Sequence, residues 1–246
     1  MPYHTVIYAV KNHIAGITLN RPKTGNAVNL KMAQELQEVS RLINGDNDIY
    51  VVTLTGAGDA FCSGGDKEEV EPCHPAAAIA AIDRPVIAAI NGDALGEGLE
   101  IALACDIRVA ATKARFGLPQ LTGGRIPADG GTQRLPRIIG KGKASELLMT
   151  AETINAEEAL EIGLVSRVVP PESLAEESRK LAETIAAKGP IALRYLKEAI
   201  NKGMDMTLEQ GLRLEADLYF LLHTTSDRTE GIKSYLEKRK PDYKGK

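Results

Sequence analysis

The chain has 246 residues, enough for one well-buried α/β domain with a small appended lobe. Its net charge of -3, with acidic and basic residues interspersed, gives no electrostatic case for nucleic acid or an anionic membrane. No apolar run approaches the ~18 residues of a membrane span, and Met1-Pro2-Tyr3-His4 leads into a strand-like segment without a basic, then apolar, leader, so a cytoplasmic protein is expected. Cys62, Cys73 and Cys105 lack the paired short spacing of a metal or redox motif, and no metal is expected.

In chain order, residues 5–20 read as a hairpin with a polar turn at Lys11-Asn12-His13. Pro22 ends it, because proline cannot donate to a ladder. Asn29 is the expected N-cap of a helix to about Ile43, with Leu30, Ala33, Leu36, Val39 and Ile43 near one face. Residues 49–55 form a buried strand, and Phe61-Cys62-Ser63-Gly64-Gly65-Asp66 is a glycine-bearing turn where α/β sheets place binding loops. Residues 67–83 have room for a helical turn or two. Pro85-Val86-Ile87-Ala88-Ala89-Ile90 has the continuous hydrophobicity of a strand buried on both faces.

A second glycine turn, Asn91-Gly92-Asp93-Ala94-Leu95-Gly96-Glu97-Gly98-Leu99-Glu100, runs into the helical patch Ile101-Ala102-Leu103-Ala104. The first N–H groups of such a helix point outward and can hold an oxyanion, although a plain strand-to-helix turn has the same sequence signature. A strand over 105–110, a loop over 119–127 and helices over 132–138 and 143–149 follow. Asn155 with Glu158 fits a capping box for a helix over 156–162, which Gly163 stops before a strand over 164–169. Beyond Pro170 four amphipathic helices are expected, over 173–187, 190–202, 207–222 and 226–238. The dense apolar patch Tyr219-Phe220-Leu221-Leu222 calls for burial within the chain or against a neighbour.

Six segments in one order carry a resemblance. They are Asn20-Arg21-Pro22 with Asn26-Ala27; the turn 61–66; Pro85 through Asn91-Gly92; Cys105-Asp106-Ile107-Arg108; Gly130-Gly131-Thr132-Gln133-Arg134-Leu135; and Glu237-Lys238-Arg239-Lys240-Pro241. Together they resemble the enoyl-CoA hydratase/isomerase (crotonase) superfamily over nearly the whole chain. The resemblance implies an α/β fold, a spiral of ββα turns over 1–189, followed over 190–246 by a helical region that assembles a homotrimer or a dimer of trimers. It implies an acyl-CoA thioester as ligand, coenzyme A being part of the substrate with no further cofactor. It implies an oxyanion hole made by the backbone N–H groups of Ser63 and Glu97, and a CoA site at Ser63, Gly64, Gly65, Asp66 and, from the basic C-terminal stretch, Lys238.

Members that hydrate use two glutamates. The first matches Glu100, whereas the second position holds Gln120, an amide that orients water but cannot deliver a proton by titrating. Glu97 stands where glycine is usual and is expected to face away from the enolate. Asp129 stands where small residues are usual, with two readings: second proton carrier, or N-cap of the helix that follows. Enoyl-CoA hydration with Glu100 as principal base is therefore the leading expectation. The alternatives are double-bond isomerisation, ring or thioester hydrolysis, and a CoA-binding protein without catalysis.

Overall fold

The computed structural model describes residues 3–66 and 73–246. Strands β1 (Val6–Lys11) and β2 (Ile14–Leu19) form the expected antiparallel hairpin, with Asn12 and His13 in the left-handed conformation at its turn. Helix α1 (Leu30–Gly45) starts at Asn29, whose side chain accepts the Met32 N–H at 2.9 Å. Strands β3 (Val51–Gly56), β4 (Val86–Ile90), β6 (Ile107–Ala111) and β9 (Arg167–Val169) join the hairpin in one six-stranded sheet of order β1-β2-β3-β4-β6-β9, parallel from β2 onward.

All of β4 is buried, as its continuous hydrophobicity demands. Val86, Ala88 and Ile90 point into the main core, while Ile87 and Ala89 point into a second core closed by Leu174 and Ala182 of α7 (Leu174–Ala186). Packing on both faces explains why alternation is missing from this strand.

A second, smaller sheet was not foreseen. It is formed by β5 (Ala94–Leu95), β7 (Arg115–Gly117) and β8 (Thr153–Asn155), with Cys62 bridged in parallel to Ala94. Strands of two or three residues are too short to leave a period in a sequence. Their pairing shows the spiral: three successive turns each place a long strand (β3, β4, β6) in the first sheet and a short segment (Cys62, β5, β7) in a second stack. Each then closes with a helix: α2 (Pro75–Ala80), α3 (Glu97–Ala104) and α4 (Gly131–Ile139).

Other boundaries shift modestly. Helix α3 begins at Glu97, four residues before the apolar patch that announced it, and Pro119–Gly123 is a short 3₁₀ helix within the expected loop. Of the segment 67–83, where a helical turn or two is expected, residues 67–72 lie outside the described residues, and the described part holds α2. Helices α5 (Lys141–Thr150) and α6 (Ala156–Glu161) precede β9, with the Asn155 side chain accepting the Glu158 N–H at 2.9 Å. The last helices are α8 (Pro190–Gly203), α9 (Leu208–Leu222) and α10 (Ser226–Leu236), matching the periodicity closely. Among the described residues no helix is long and apolar enough to cross a membrane.

Candidate active site

The site is assembled where the second strands of two spiral turns lie side by side. Beyond β3, the loop 56–60 is held by two asparagine side chains. Asn26 Nδ2 donates to the carbonyls of Ala57 (2.9 Å) and Ala60 (2.8 Å), and Asn91 Nδ2 donates to those of Gly58 (2.8 Å) and Ala60 (3.2 Å). Cys62 then enters the small sheet, donating its N–H to Asp93 O and accepting that of Leu95 at 3.0 Å. With Cys62 paired to Ala94, continuing the parallel register sets Gly64 opposite Gly96 and Gly65 opposite Glu97. A side chain on Gly96 would reach within 3.4 Å of Gly64 Cα, which verifies that register in space. Gly98 lets α3 press against this segment, since a Cβ there would stand 2.2 Å from Cys62 O.

The geometry corrects one of the two expected donors. The Ser63 N–H is already spent on Gly25 O at 2.9 Å, Val28 N–H goes to Gly64 O at 2.8 Å, and Asp66 N–H goes to Val28 O at 2.7 Å. In a parallel pairing alternate amides face the neighbouring strand, so the one turned the other way is Gly65. Gly65 N–H has no acceptor among the described residues, nor does Glu97 N–H in the first turn of α3, where a helix leaves its donors unpaired. Gly65 and Glu97 are thus the adjacent free pair. Sequence reading placed Gly65 in the CoA site but missed it as a donor, because the choice among the amides of this turn is made by residues 25–28, more than thirty positions away.

Glu100 sits one turn into α3, 1% exposed. Its Oε1 accepts the N–H of Asp129 and that of Gly131, each at 2.8 Å. Burial pushes its carboxyl above the usual carboxylate range; the two N–H groups act against that rise, and the negative charges of Asp129 and Glu97 add to it. A carboxyl raised above the usual range and aimed by two N–H groups is suited to taking a proton and returning it.

Gln120 follows β7 in the 3₁₀ turn and is 8% exposed. Neither its Oε1 nor its Nε2 makes a hydrogen bond among the described residues. Its amide lies by the donor turns, with Nε2 3.6 Å from where a Gly96 Cβ would stand. Buried amides are normally satisfied, so a donor and an acceptor left open at this place mark a group that meets a ligand or water.

Glu97 does not face away as expected. Its carboxylate folds over the two glycines opposite: a Cβ on Gly65 would meet Oε1 at 2.9 Å, and one on Gly64 would meet Oε2 at 3.5 Å. The absence of side chains at 64 and 65 opens the space that it fills. Asp129 is not the N-cap of α4 either, since the residue at that position is Gly130 and no side chain caps that helix. Its carboxylate reaches α2 instead, where Oδ2 accepts Ala76 N–H at 2.5 Å and Oδ1 accepts Ala77 N–H at 3.1 Å.

Asp66 is paired with Arg21 Nη2 at 2.7 Å, beside the first donor turn. Lys238, by contrast, makes no hydrogen bond or ion pair with either turn among the described residues. The tail that follows it packs at the start of β3, where Tyr50 Oη donates to Tyr243 O at 3.4 Å, and the donor turn lies beyond the other end of that strand. Arg239, next to Lys238, is committed to Glu230 and Glu237. Burial pushes the thiols of Cys62 and Cys105 up to about 12, so neither is a thiolate nucleophile at neutral pH. No group of three or more metal-ligating side chains occurs among the described residues.

Two free backbone donors side by side, a buried carboxyl and an open amide form an arrangement able to hold an oxyanion and to move a proton next to it. Comparison with known proteins gives the lineage: the chain belongs to the enoyl-CoA hydratase/isomerase family, whose model matches residues 9–246. It is 43% identical to the (E)-benzylidenesuccinyl-CoA hydratase of Thauera aromatica, covering 98% of this chain and 99% of that one. It is 40% identical to the crotonyl-CoA hydratase of Syntrophomonas wolfei, covering 99% of each. The crystal structure of an enoyl-CoA hydratase from Bacillus anthracis superposes with a TM-score of 0.94 at 43% identity, covering 99% of this chain and 100% of that one. The spiral architecture expected from the sequence is therefore that of its relatives.

Proposed function

We propose that the protein adds water reversibly across the α,β double bond of an enoyl-CoA thioester. The observation that carries this reading is the convergence of the free Gly65 and Glu97 N–H groups near the buried, amide-held carboxylate of Glu100. The thioester oxygen accepts both N–H groups, which draws electron density from the double bond and makes Cβ electrophilic. Water attacks Cβ; Glu100 takes the proton that leaves it, and the electron pair of the double bond moves into an enolate whose oxygen stays in the donor pair. The same carboxyl then returns that proton to Cα, so one titrating group closes the cycle. Gln120, with donor and acceptor both open, orients the water. No redox step occurs, and coenzyme A enters and leaves with the substrate.

Asp66 and the glycines beside it are the proposed binding edge for the CoA nucleotide, with Lys238 serving its phosphates from a neighbouring subunit of a homotrimer or a dimer of trimers. The exposed apolar side chains Leu196, Ile200, Met204, Leu208, Leu212 and Phe220 on and between α8 and α9 favour such an assembly. Light scattering would give a mass three or six times 26.4 kDa. A cytoplasmic site of action fits acyl-CoA chemistry.

The reaction is tested with crotonyl-CoA in heavy-oxygen water. Loss of the enoyl-thioester absorbance with one heavy oxygen at Cβ is the expected result. Double-bond movement without label would make the protein an isomerase, and label in a released carboxylic acid would make it a hydrolase.

A further inference from the structure

Asp129 is 6% exposed, and every polar part of it is engaged. Its N–H donates to Glu100 Oε1 at 2.8 Å. Its carbonyl accepts Arg134 Nη1 at 2.7 Å, and its carboxylate receives the first two N–H groups of α2, those of Ala76 and Ala77, at 2.5 and 3.1 Å, Pro75 having none to give. Helix α2 has no side-chain cap of its own, since the residue at its N-cap, His74, makes no capping bond. The carboxylate from the loop before α4 therefore does the work of a cap from outside, and in doing so it fastens the main chain that holds Glu100. A carboxylate with both oxygens occupied by N–H donors is poorly placed to pass protons to a substrate.

We propose that Asp129 is a positioning residue for Glu100 and not a proton carrier: its side chain ties the 129–131 backbone to α2, and that backbone aims the Glu100 carboxylate. The proposal rests on the hydration reading for its kinetic consequence, while the tie itself is independent of it. Charge adds a second effect. The Asp129 carboxylate, which faces His74 Nδ1 at 4.0 Å and the Arg134 guanidinium, opposes ionisation of Glu100 together with the Glu97 carboxylate, so removing its charge lowers the pH at which Glu100 becomes a base.

Asp129→Asn keeps an oxygen able to accept from Ala76 or Ala77, whereas Asp129→Ala keeps nothing. The two are compared with the native protein in three readouts: kcat and KM for crotonyl-CoA, the pH profile of kcat/KM, and amide hydrogen exchange at Ala76 and Ala77. Asparagine is expected to hold kcat within a few-fold, move the acid limb to lower pH and leave exchange slow. Alanine is expected to lower kcat by up to ~10²-fold, the scale on which a misplaced catalytic group acts, with KM nearly unchanged and faster exchange at both amides. A loss in Asp129→Asn as deep as in Asp129→Ala, with slow exchange preserved, would make Asp129 a proton carrier. Full kcat in a folded Asp129→Ala would show that Glu100 needs no such tie. If the native protein hydrates no enoyl thioester, the proposed reaction fails, whereas the tie fails only if exchange at Ala76 and Ala77 ignores Asp129→Ala.

Discussion

Glu100 and Gln120 are the two long polar side chains buried at this site, and their surroundings differ in kind. Glu100 is held before any ligand arrives: two main-chain N–H groups fix one oxygen, and a loop tied at three further points fixes those N–H groups. Gln120 is buried with its amide carrying no hydrogen bond among the described residues. A group that exchanges protons must be aimed and tuned in advance, which takes a surrounding shell. A group that greets a polar ligand must keep its own donor and acceptor open, which costs stability.

The contrast breaks most sharply at Glu100. Glu100→Gln keeps the size and the acceptor oxygen for Asp129 and Gly131 but cannot accept a proton. Turnover of crotonyl-CoA should fall by ~10²–10⁴-fold, the usual contribution of a general acid–base group, with KM little changed; full turnover would remove Glu100 from the chemistry. The donor pair comes next. Replacing the Gly65 amide with an ester removes only the N–H, and the expected loss in kcat corresponds to ~2.7–4 kcal/mol, as for one donor of an oxyanion hole. The same exchange at Ser63 breaks its bond to Gly25 O and should lower stability by ~0.5–1.5 kcal/mol with kcat nearly unchanged. The reverse ranking would restore Ser63 as the donor.

Ser63 and Gly65 also show what a sequence can and cannot display. The glycine turn was legible because its composition is local, and so were β4, α1 and the four C-terminal helices, whose periods or caps lie within their own residues. Which amide of that turn stays free is decided by pairing with 25–28, and no pattern within 61–66 encodes it. Asp129 is a similar case. A cap was a sound expectation from the residue type, but the helix it serves is α2, more than fifty positions earlier, brought to it only by the coiling of the spiral. Glu97 turns toward Gly64 and Gly65 because two facing glycines leave room, a property of the register between turns. Sequence thus named the participants and misjudged their orientation wherever a different spiral turn sets it.

A gentler test uses pH. The folded-state carboxyl of Glu100 is raised above its unfolded value of ~4.3, mainly by burial, so the stability it contributes is full below that value and is lost as pH rises through the folded value. Asp129 is raised too, again mainly by burial, and contributes a slope of the same sign. Denaturant titrations across this window should therefore show a shallower decline in Glu100→Gln than in the native protein, with a residue of slope left to Asp129. In kinetics the sign is opposite, because the base must be ionised: kcat/KM should climb with pH over a window above the ordinary carboxylate range. An acid limb at or below ~4.3 would mean that Glu100 is better solvated than its burial indicates.

The smallest expected effect lies on the other side of the contrast. If Gln120 keeps its hydrogen-bonding groups open at a cost, then Gln120→Met, of similar length and without those groups, should stabilise the fold by ~1 kcal/mol, the low end of the penalty for an unmet buried polar group. Turnover should fall at the same time, because methionine gives a water nothing to bind. Equilibrium unfolding and initial rates on one preparation decide the matter. A gain in stability with a loss in rate would show a residue retained for the ligand against the interest of the fold. A loss in both would mean that the amide is already satisfied by a tightly held water, which would then be the nucleophile's resting place and would make Gln120 as preorganised as Glu100.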